Sequence, residues 1–83
     1  MSKPEKKFKC GSVSASVWAT NRTVKGQTVR FFSIRINRAY KEDGTWKHTN
    51  SFNAEDLPKI ALVANEAYKY IRLQETEPQQ NQG

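Results

Sequence analysis

The chain has 83 residues and a formal net charge of +6 at pH 7, with 14 lysines and arginines against 8 acidic residues. This length predicts one domain with a marginal core. Cys10 is the only cysteine, which excludes a disulfide within the chain, and the single histidine offers no Cys/His cluster for a metal. We therefore expect no cofactor, and by elimination we expect self-association to stabilise the fold.

The apolar residues are too scattered for a membrane span, which requires roughly 18 consecutive apolar positions. The N-terminus is charged but has no apolar stretch behind it, so it does not resemble a secretory signal. Together with the unpaired cysteine, these features predict a cytoplasmic protein, with the nucleoid as one location within the cytoplasm.

The charges are segregated along the chain. Residues 1–50 hold eleven basic and three acidic side chains, whereas residues 51–83 hold three basic and five acidic ones. A segregated basic half is the electrostatic signature of a protein that binds a polyanion. The net charge alone would fit a merely soluble basic protein equally well, so the segregation carries this prediction.

The hydrophobic pattern predicts a basic arm, three or four strands, a helix and a polar tail. The expected ranges are a flexible arm over 1–7, strands over 8–20, 27–38 and 45–52, a helix that ends at 73, and a disordered tail over 74–83. The folded domain should therefore span 8–73. Its class should be α+β, with a curved antiparallel sheet and one C-terminal helix across the inner face of the sheet.

Alternation within the strands assigns their residues to two faces. The apolar positions expected to face the helix are Val13, Ala15, Val17, Phe32, Ile34 and Ile36. Two turns connect the strands: a long polar segment over 20–26 that ends in Lys-Gly, and a tight turn at Asp43-Gly44, which is a hairpin signal.

The predicted helix carries an apolar stripe that is wider than one small sheet needs. Apolar residues recur at three- and four-residue spacing over 57–71, and Val63 and Tyr70 widen the stripe at its edges. A stripe of this width favours a homodimer in which the 57–73 helix supplies much of the interface.

The sheet face opposite the helix is expected to carry Trp18, Phe31 and Arg35 among serine and asparagine side chains. Large aromatic residues beside a guanidinium are suited to stacking on nucleobases, which contributes roughly 1–3 kcal/mol per base. Two other interpretations stay open. The aromatic residues could form a cross-strand pair that stabilises the sheet, or they could form a dimer interface.

Further basic and aromatic residues lie near the strand ends and turns, as expected of a groove for an unstacked strand. The candidate nucleic-acid-binding residues are Trp18, Arg22, Lys25, Phe31, Arg35, Arg38, Tyr40, Lys41, Trp46 and Lys47. The only predicted helix begins with acidic residues, which makes it a poor reader of a duplex groove.

Enzyme chemistry is not expected. Nucleophilic catalysis needs a nucleophile, a base and a group that orients the base. The only histidine, His48, has no carboxylate at a useful spacing, and the Lys-Gly turn is not a phosphate-binding glycine loop. We therefore expect no catalytic residues and no small-molecule substrate.

The order of these features resembles the positive-cofactor-four-like transcriptional coactivators and their prokaryotic and phage relatives. The likeness covers about residues 8–72. The residues that carry it are Val24-Lys25-Gly26, Phe32-Ser33-Ile34-Arg35, Tyr40, Glu42-Asp43-Gly44, Trp46-Lys47 and Ser51-Phe52-Asn53. This chain differs in its longer first turn and in the position of Trp46, which follows the second turn instead of preceding it.

The resemblance implies a four-stranded antiparallel sheet with a C-terminal helix (ββββα), dimerisation, and binding of single-stranded DNA along two β-ridges. It matches Lys25 to a basic β-turn, Arg35 or Arg38 to a basic strand end, Tyr40 to an aromatic that stacks on bases, and Lys47 to a basic hairpin residue.

Three hypotheses follow from the sequence. The first is a homodimeric, sequence-tolerant binder of single-stranded DNA or RNA that acts in transcription, replication or recombination. The second is a protein-interaction module that docks a partner through exposed aromatic residues. The third is a reader of duplex sequence.

Overall fold

The computed structural model describes the backbone of residues 3–80 and the side chains of residues 3–74. Its elements are, in chain order, β1 (Lys6–Cys10), β2 (Val13–Val24), β3 (Gln27–Glu42), β4 (Thr45–Thr49), a 3-10 turn (Ala54–Asp56) and α1 (Leu57–Gln80). The strands form one antiparallel sheet in the order β1-β2-β3-β4. The predicted α+β class, with four strands followed by one helix, is confirmed.

The segment expected to be one strand over 8–20 is two strands joined by a tight turn at Gly11-Ser12. Gly11 has φ +62°, a conformation that glycine adopts without a steric penalty. The turn pairs Cys10 with Val13, so apolar residues at even positions in β1 share a face with apolar residues at odd positions in β2. This change of parity is the sequence signal for the turn. It also places the start of the sheet at Lys6, within the predicted arm over 1–7, of which residues 1 and 2 lie outside the described residues.

The long turn expected over 20–26 is also a two-residue turn. β2 continues to Val24 and β3 begins at Gln27, with Lys25 at φ 52° and Gly26 at φ 79° between them. Threonine and valine are frequent in this segment, and both favour strand structure. From Trp18 to Ser33 the two strands pair only with each other within the described sheet, so this part, which we call the ribbon, extends beyond β1 and β4.

The core is small and lies between β2 and α1. Its fully buried apolar residues are Val13, Ala15, Val17, Val63 and Ala67. The expectation that the apolar residues of the first long strand face the helix is therefore confirmed. Val63 is only 2 % exposed, so it lies at the centre of the buried stripe of α1 and not at its edge.

The exposed apolar side chains of α1 differ from the two that the stripe predicted. They are Leu57, Leu62, Tyr68 and Leu73. Tyr70 is half-buried, and its ring packs edge-on against Phe8 with centroids 6.1 Å apart. The helix continues to Gln80, past the predicted start of the tail at 74. Residues 81–83 lie outside the described residues.

Two polar clusters attach the helix to the sheet. At its start, Asp56 accepts a hydrogen bond from the Asn53 backbone N–H at 2.8 Å, and the Arg38 Nε lies 3.4 Å from the same carboxylate oxygen. Farther along, the Tyr70 hydroxyl donates to Glu5 at 2.8 Å, and Glu5 also pairs with Arg30. The first cluster joins β3 to the start of α1, and the second joins α1 to β3 through Glu5.

Candidate nucleic-acid interface

Strand register divides the sheet into a face that α1 covers and a face that we call the open face. Alternation along the paired strands assigns the open-face residues. The principal side chains of the open face are Lys7, Lys9, Ser14, Ser16, Trp18, Arg22, Phe31, Ser33, Arg35, Asn37, Lys41, Trp46 and His48. The predicted placement of Trp18, Phe31 and Arg35 opposite the helix agrees with this register.

The open face is positively charged without compensation. Five of its strand residues are lysine or arginine, and none of its strand residues is acidic. Among the described residues, none of these five cations pairs with a carboxylate. Uncompensated charge of one sign raises the local concentration of a polyanion and speeds its association.

A shallow cavity of about 390 Å³ opens on one end of this face, between the Gly11-Ser12 turn and β4. Its lining includes the ammonium side chains of Lys7 and Lys9 together with Trp46 and His48. The Trp46 side chain is 63 % exposed, and the Lys41 ammonium lies 5.8 Å from the centroid of its ring. The cavity therefore offers a π-surface beside groups that can contact phosphate.

The other end of the open face lies on the ribbon. Phe31 is 42 % exposed, and the Arg22 guanidinium lies 5.1 Å from the centroid of its ring. Trp18 is half-buried, and its indole Nε1 is buried without a hydrogen-bond partner. A buried donor without a partner costs free energy. A ligand with an acceptor that bonds to this N–H would remove that cost.

Small polar residues occupy the middle of the face. Ser14 and Ser16 are buried at the centre of the sheet, and the Ser14 hydroxyl donates to Asn37 Oδ1 at 3.1 Å. Because these side chains are short, no large side chain of β2 stands between the cavity and the ribbon on this part of the open face. Arg35 lies opposite Ser16 there, and its neighbour on the other side of β2 is Lys7.

The structure divides the ten candidate residues into three groups. Six of them share the open face: Trp18, Arg22, Phe31, Arg35, Lys41 and Trp46. Lys25 lies at the tip of the ribbon. The other three candidates lie on the helix side of the sheet, because their side chains alternate with open-face side chains along β3 and β4. They are Arg38, Tyr40 and Lys47.

The helix-side candidates have protein partners. Arg38 contacts Asp56 and also donates from Nε to the Ser51 carbonyl at 3.2 Å. The Lys47 ammonium donates to Glu42 at 2.8 Å. The Tyr40 ring lies 5.9 Å from the Arg38 guanidinium carbon. Arg38 is thus held beside the start of α1, and Lys47 is paired within the β3-β4 hairpin.

Sequence reasoning missed Lys7, Lys9 and His48. The sequence prediction places Lys7 in the arm over 1–7 and Lys9 in a single strand over 8–20, because it does not separate β1 from β2. The alternation Lys7-Phe8-Lys9, with an apolar residue between two cations, was the available signal. His48 was recognised as part of a strand, but its position in the cavity depends on the pairing of β3 with β4.

Among the described side chains of residues 3–74, no group of three or more His, Cys, Asp or Glu could hold a metal ion. No helix in the described part of the chain is both long and apolar enough to cross a membrane. The hydrogen bond of the Tyr70 hydroxyl to Glu5, with desolvation and the Glu5 charge, raises the pKa of Tyr70, against an opposing effect of Arg30.

Comparisons with protein-family models, curated proteins and solved structures find no match for this chain. The resemblance to the positive-cofactor-four-like coactivators therefore stays a prediction.

Proposed function

We propose that the protein binds single-stranded DNA or RNA on its open face, without strong sequence preference, and that it acts as a homodimer. One observation carries this proposal: cations and exposed aromatic rings share a face on which no strand residue is acidic. Phosphates would contact the cations while bases stack on the rings. The resemblance described above agrees with this function and favours a role in transcription, replication or recombination in the cytoplasm.

The spacing of the aromatic residues suits an extended strand. Trp46 and Trp18 lie opposite Lys41 and Ser33, which are eight residues apart on β3. This corresponds to about 27 Å along the strand. Single-strand sites typically cover about 4–16 nucleotides per module, and a path of this length falls within that range.

A single strand fits better than a duplex. Duplex readers commonly insert a helix into the major groove. Here α1 is committed to the core through Val63 and Ala67, and Glu55 and Asp56 precede its first turn. The open face instead presents exposed aromatic rings, and the bases of a duplex cannot stack on them because they are already stacked on each other.

The homodimer is proposed from the exposed apolar side chains of α1. Leu57, Leu62, Tyr68 and Leu73 are each more than half exposed. A core of five fully buried apolar residues is small for an 83-residue chain, and a second copy would bury more apolar surface.

A protein-interaction module is the second candidate function. The observation that favours it is the exposure of Trp46 and Phe31, since exposed aromatic residues are also typical anchors of protein interfaces. An acidic partner segment would satisfy the same cations.

Titration with poly-dT and with duplex DNA at two salt concentrations tests the proposal. We expect poly-dT to bind more tightly than duplex, and the logarithm of affinity to fall with the logarithm of salt with a slope of about −0.7 per phosphate contacted. Affinity that does not depend on salt, or tighter binding of duplex, would contradict the proposal.

A further inference from the structure

The outer edge of β3 is unpaired along the whole ribbon and beyond it as far as Asn37. β4 pairs only with the Arg38–Glu42 part of β3, so residues 27–37 have a strand neighbour on the β2 side alone within the described sheet. An exposed edge of this length is a template for another strand. The edge is rich in residues that favour strands, among them Phe32, Ile34 and Ile36.

The backbone groups that point outward can be identified from the turn. Gln27 closes a two-residue turn with Val24, so these two residues exchange hydrogen bonds. Alternate residues of β3 therefore bond to β2, and the residues between them point outward. The outward residues of the unpaired edge are Thr28, Arg30, Phe32, Ile34 and Ile36. The hydrogen bond from the Ala39 N–H back to Ser12 agrees with this alternation.

This set is symmetric about Phe32. If a second copy of the same edge lies antiparallel with Phe32 opposite Phe32, each of the five outward residues meets an outward residue of the other copy. Arg30 then lies opposite Ile34, and Arg35 lies opposite Val29, so no arginine faces an arginine. An isologous dimer requires a surface that can pair with a copy of itself across a two-fold axis, and this edge can do so.

Two surface features border the same edge. An apolar groove lies between β3 and α1, lined by Phe32, Ile34, Ala64, Ala67, Tyr68 and Ile71. A notch lined by Arg35, Ile36, Asn37, His48, Thr49 and Asn50 lies where β4 ends. In the symmetric pairing the Lys25-Gly26 turn of the second copy approaches this notch.

The single chain is elongated. Its radius of gyration is 15.9 Å, whereas a compact chain of this length has a radius of about 12 Å. The ribbon accounts for part of this excess, since its two strands lie beyond the rest of the sheet. Pairing two ribbons would cover the outer edge of β3.

We propose that two copies of the chain pair their β3 edges antiparallel about an axis at Phe32, which forms one continuous sheet across the dimer. The axis is perpendicular to the sheet, so the two helices lie on one side and the two open faces join on the other. The dimer thus doubles the length of the basic, aromatic surface. This inference rests on the homodimer of the proposed function and assigns its interface to β3 as well as α1.

Proline substitution offers a matched test, because Thr28 and Thr23 are cross-strand partners on opposite edges of the ribbon. Thr28→Pro removes an outward N–H from β3, whereas Thr23→Pro removes one from β2, and each spares the bonds within the ribbon. We expect Thr28→Pro to weaken dimerisation by at least about tenfold and Thr23→Pro to leave it unchanged, as measured by sedimentation equilibrium. Equal dimerisation of the two variants, or a monomeric parent protein, would overturn the inference.

Cysteine cross-linking fixes the register. In the symmetric pairing, Val29 of one copy and Arg35 of the other form a pair with Cα atoms about 4.5 Å apart, which suits a disulfide. In a Cys10→Ala background, a mixture of Val29→Cys and Arg35→Cys chains should yield a linked dimer upon mild oxidation, and neither variant alone should do so. Cross-linking of each variant with itself, or none in the mixture, would contradict this register.

Parallel binding measurements separate this inference from the proposed function. A monomer that still binds poly-dT would refute the β3 interface and leave single-strand binding intact. A dimer with the expected cross-link that fails to bind poly-dT would support the interface and refute the proposed function.

Discussion

The two faces of the sheet carry similar numbers of cations but differ in whether these cations pair with carboxylates. On the helix side, three of the four strand cations pair with a carboxylate: Arg30 with Glu5, Arg38 with Asp56 and Lys47 with Glu42. On the open face, none of the five cations of the described strands pairs with a carboxylate. The two faces therefore differ in how many of their cations are paired with carboxylates more than in the number of basic residues that they carry.

The largest expected effect is on stability and concerns the helix side. Asp56→Ala removes the acceptor of the Asn53 N–H and the partner of Arg38. We expect the free energy of unfolding to fall by about 2–3 kcal/mol, measured by urea denaturation. The affinity of the folded variant for poly-dT should not change. A loss of affinity without a loss of stability would contradict the structural role assigned to this side.

The next effect concerns stacking on the open face. Trp46→Ala should weaken poly-dT binding by about 1–3 kcal/mol and leave the salt slope nearly unchanged, because the indole contributes no charge. Tyr40→Ala, on the helix side, serves as the comparison and should have a smaller effect. If Tyr40→Ala were the more damaging change, the helix side would contact the strand.

A smaller effect is expected from the lysines that line the cavity. Lys7→Ala combined with Lys9→Ala should reduce the magnitude of the salt slope by about 1.4, since two phosphate contacts are lost. Lys47→Ala is the matched control, because the Lys47 ammonium already pairs with Glu42. Both slopes are measured by fluorescence anisotropy over a series of salt concentrations. A larger change for Lys47→Ala would indicate that compensated charges also bind.

The smallest effect is a pH dependence of stability. Because the pKa of Tyr70 is raised in the folded state, folding favours the protonated hydroxyl. The stability from this group is fully present below the unfolded pKa of about 10 and is lost as pH rises through the higher folded pKa. We expect the free energy of unfolding to decline in this alkaline range, and Tyr70→Phe to flatten the decline. An unchanged slope in Tyr70→Phe would assign the decline to other groups.

The sequence predicted the elements whose pattern is local. Alternation placed Val13, Ala15 and Val17 against the helix, and the change to helical spacing after 57 located α1. The parity change at Gly11-Ser12 was harder to recognise, because a two-residue turn interrupts the alternation for only a few positions. The division of the candidate residues between the two faces needed the register of β3 with β4, which depends on non-local pairing.

Amide NMR during titration with a short oligo-dT tests most directly whether the open face is the binding surface. We expect the largest shift changes at Lys7, Lys9, Arg35 and Trp46, with further changes at Phe31 on the ribbon. Residues on the exposed side of α1, such as Leu62 and Lys69, should change little. Shift changes confined to α1 or to the junction at Arg38, with the open face unaffected, would contradict the proposed function.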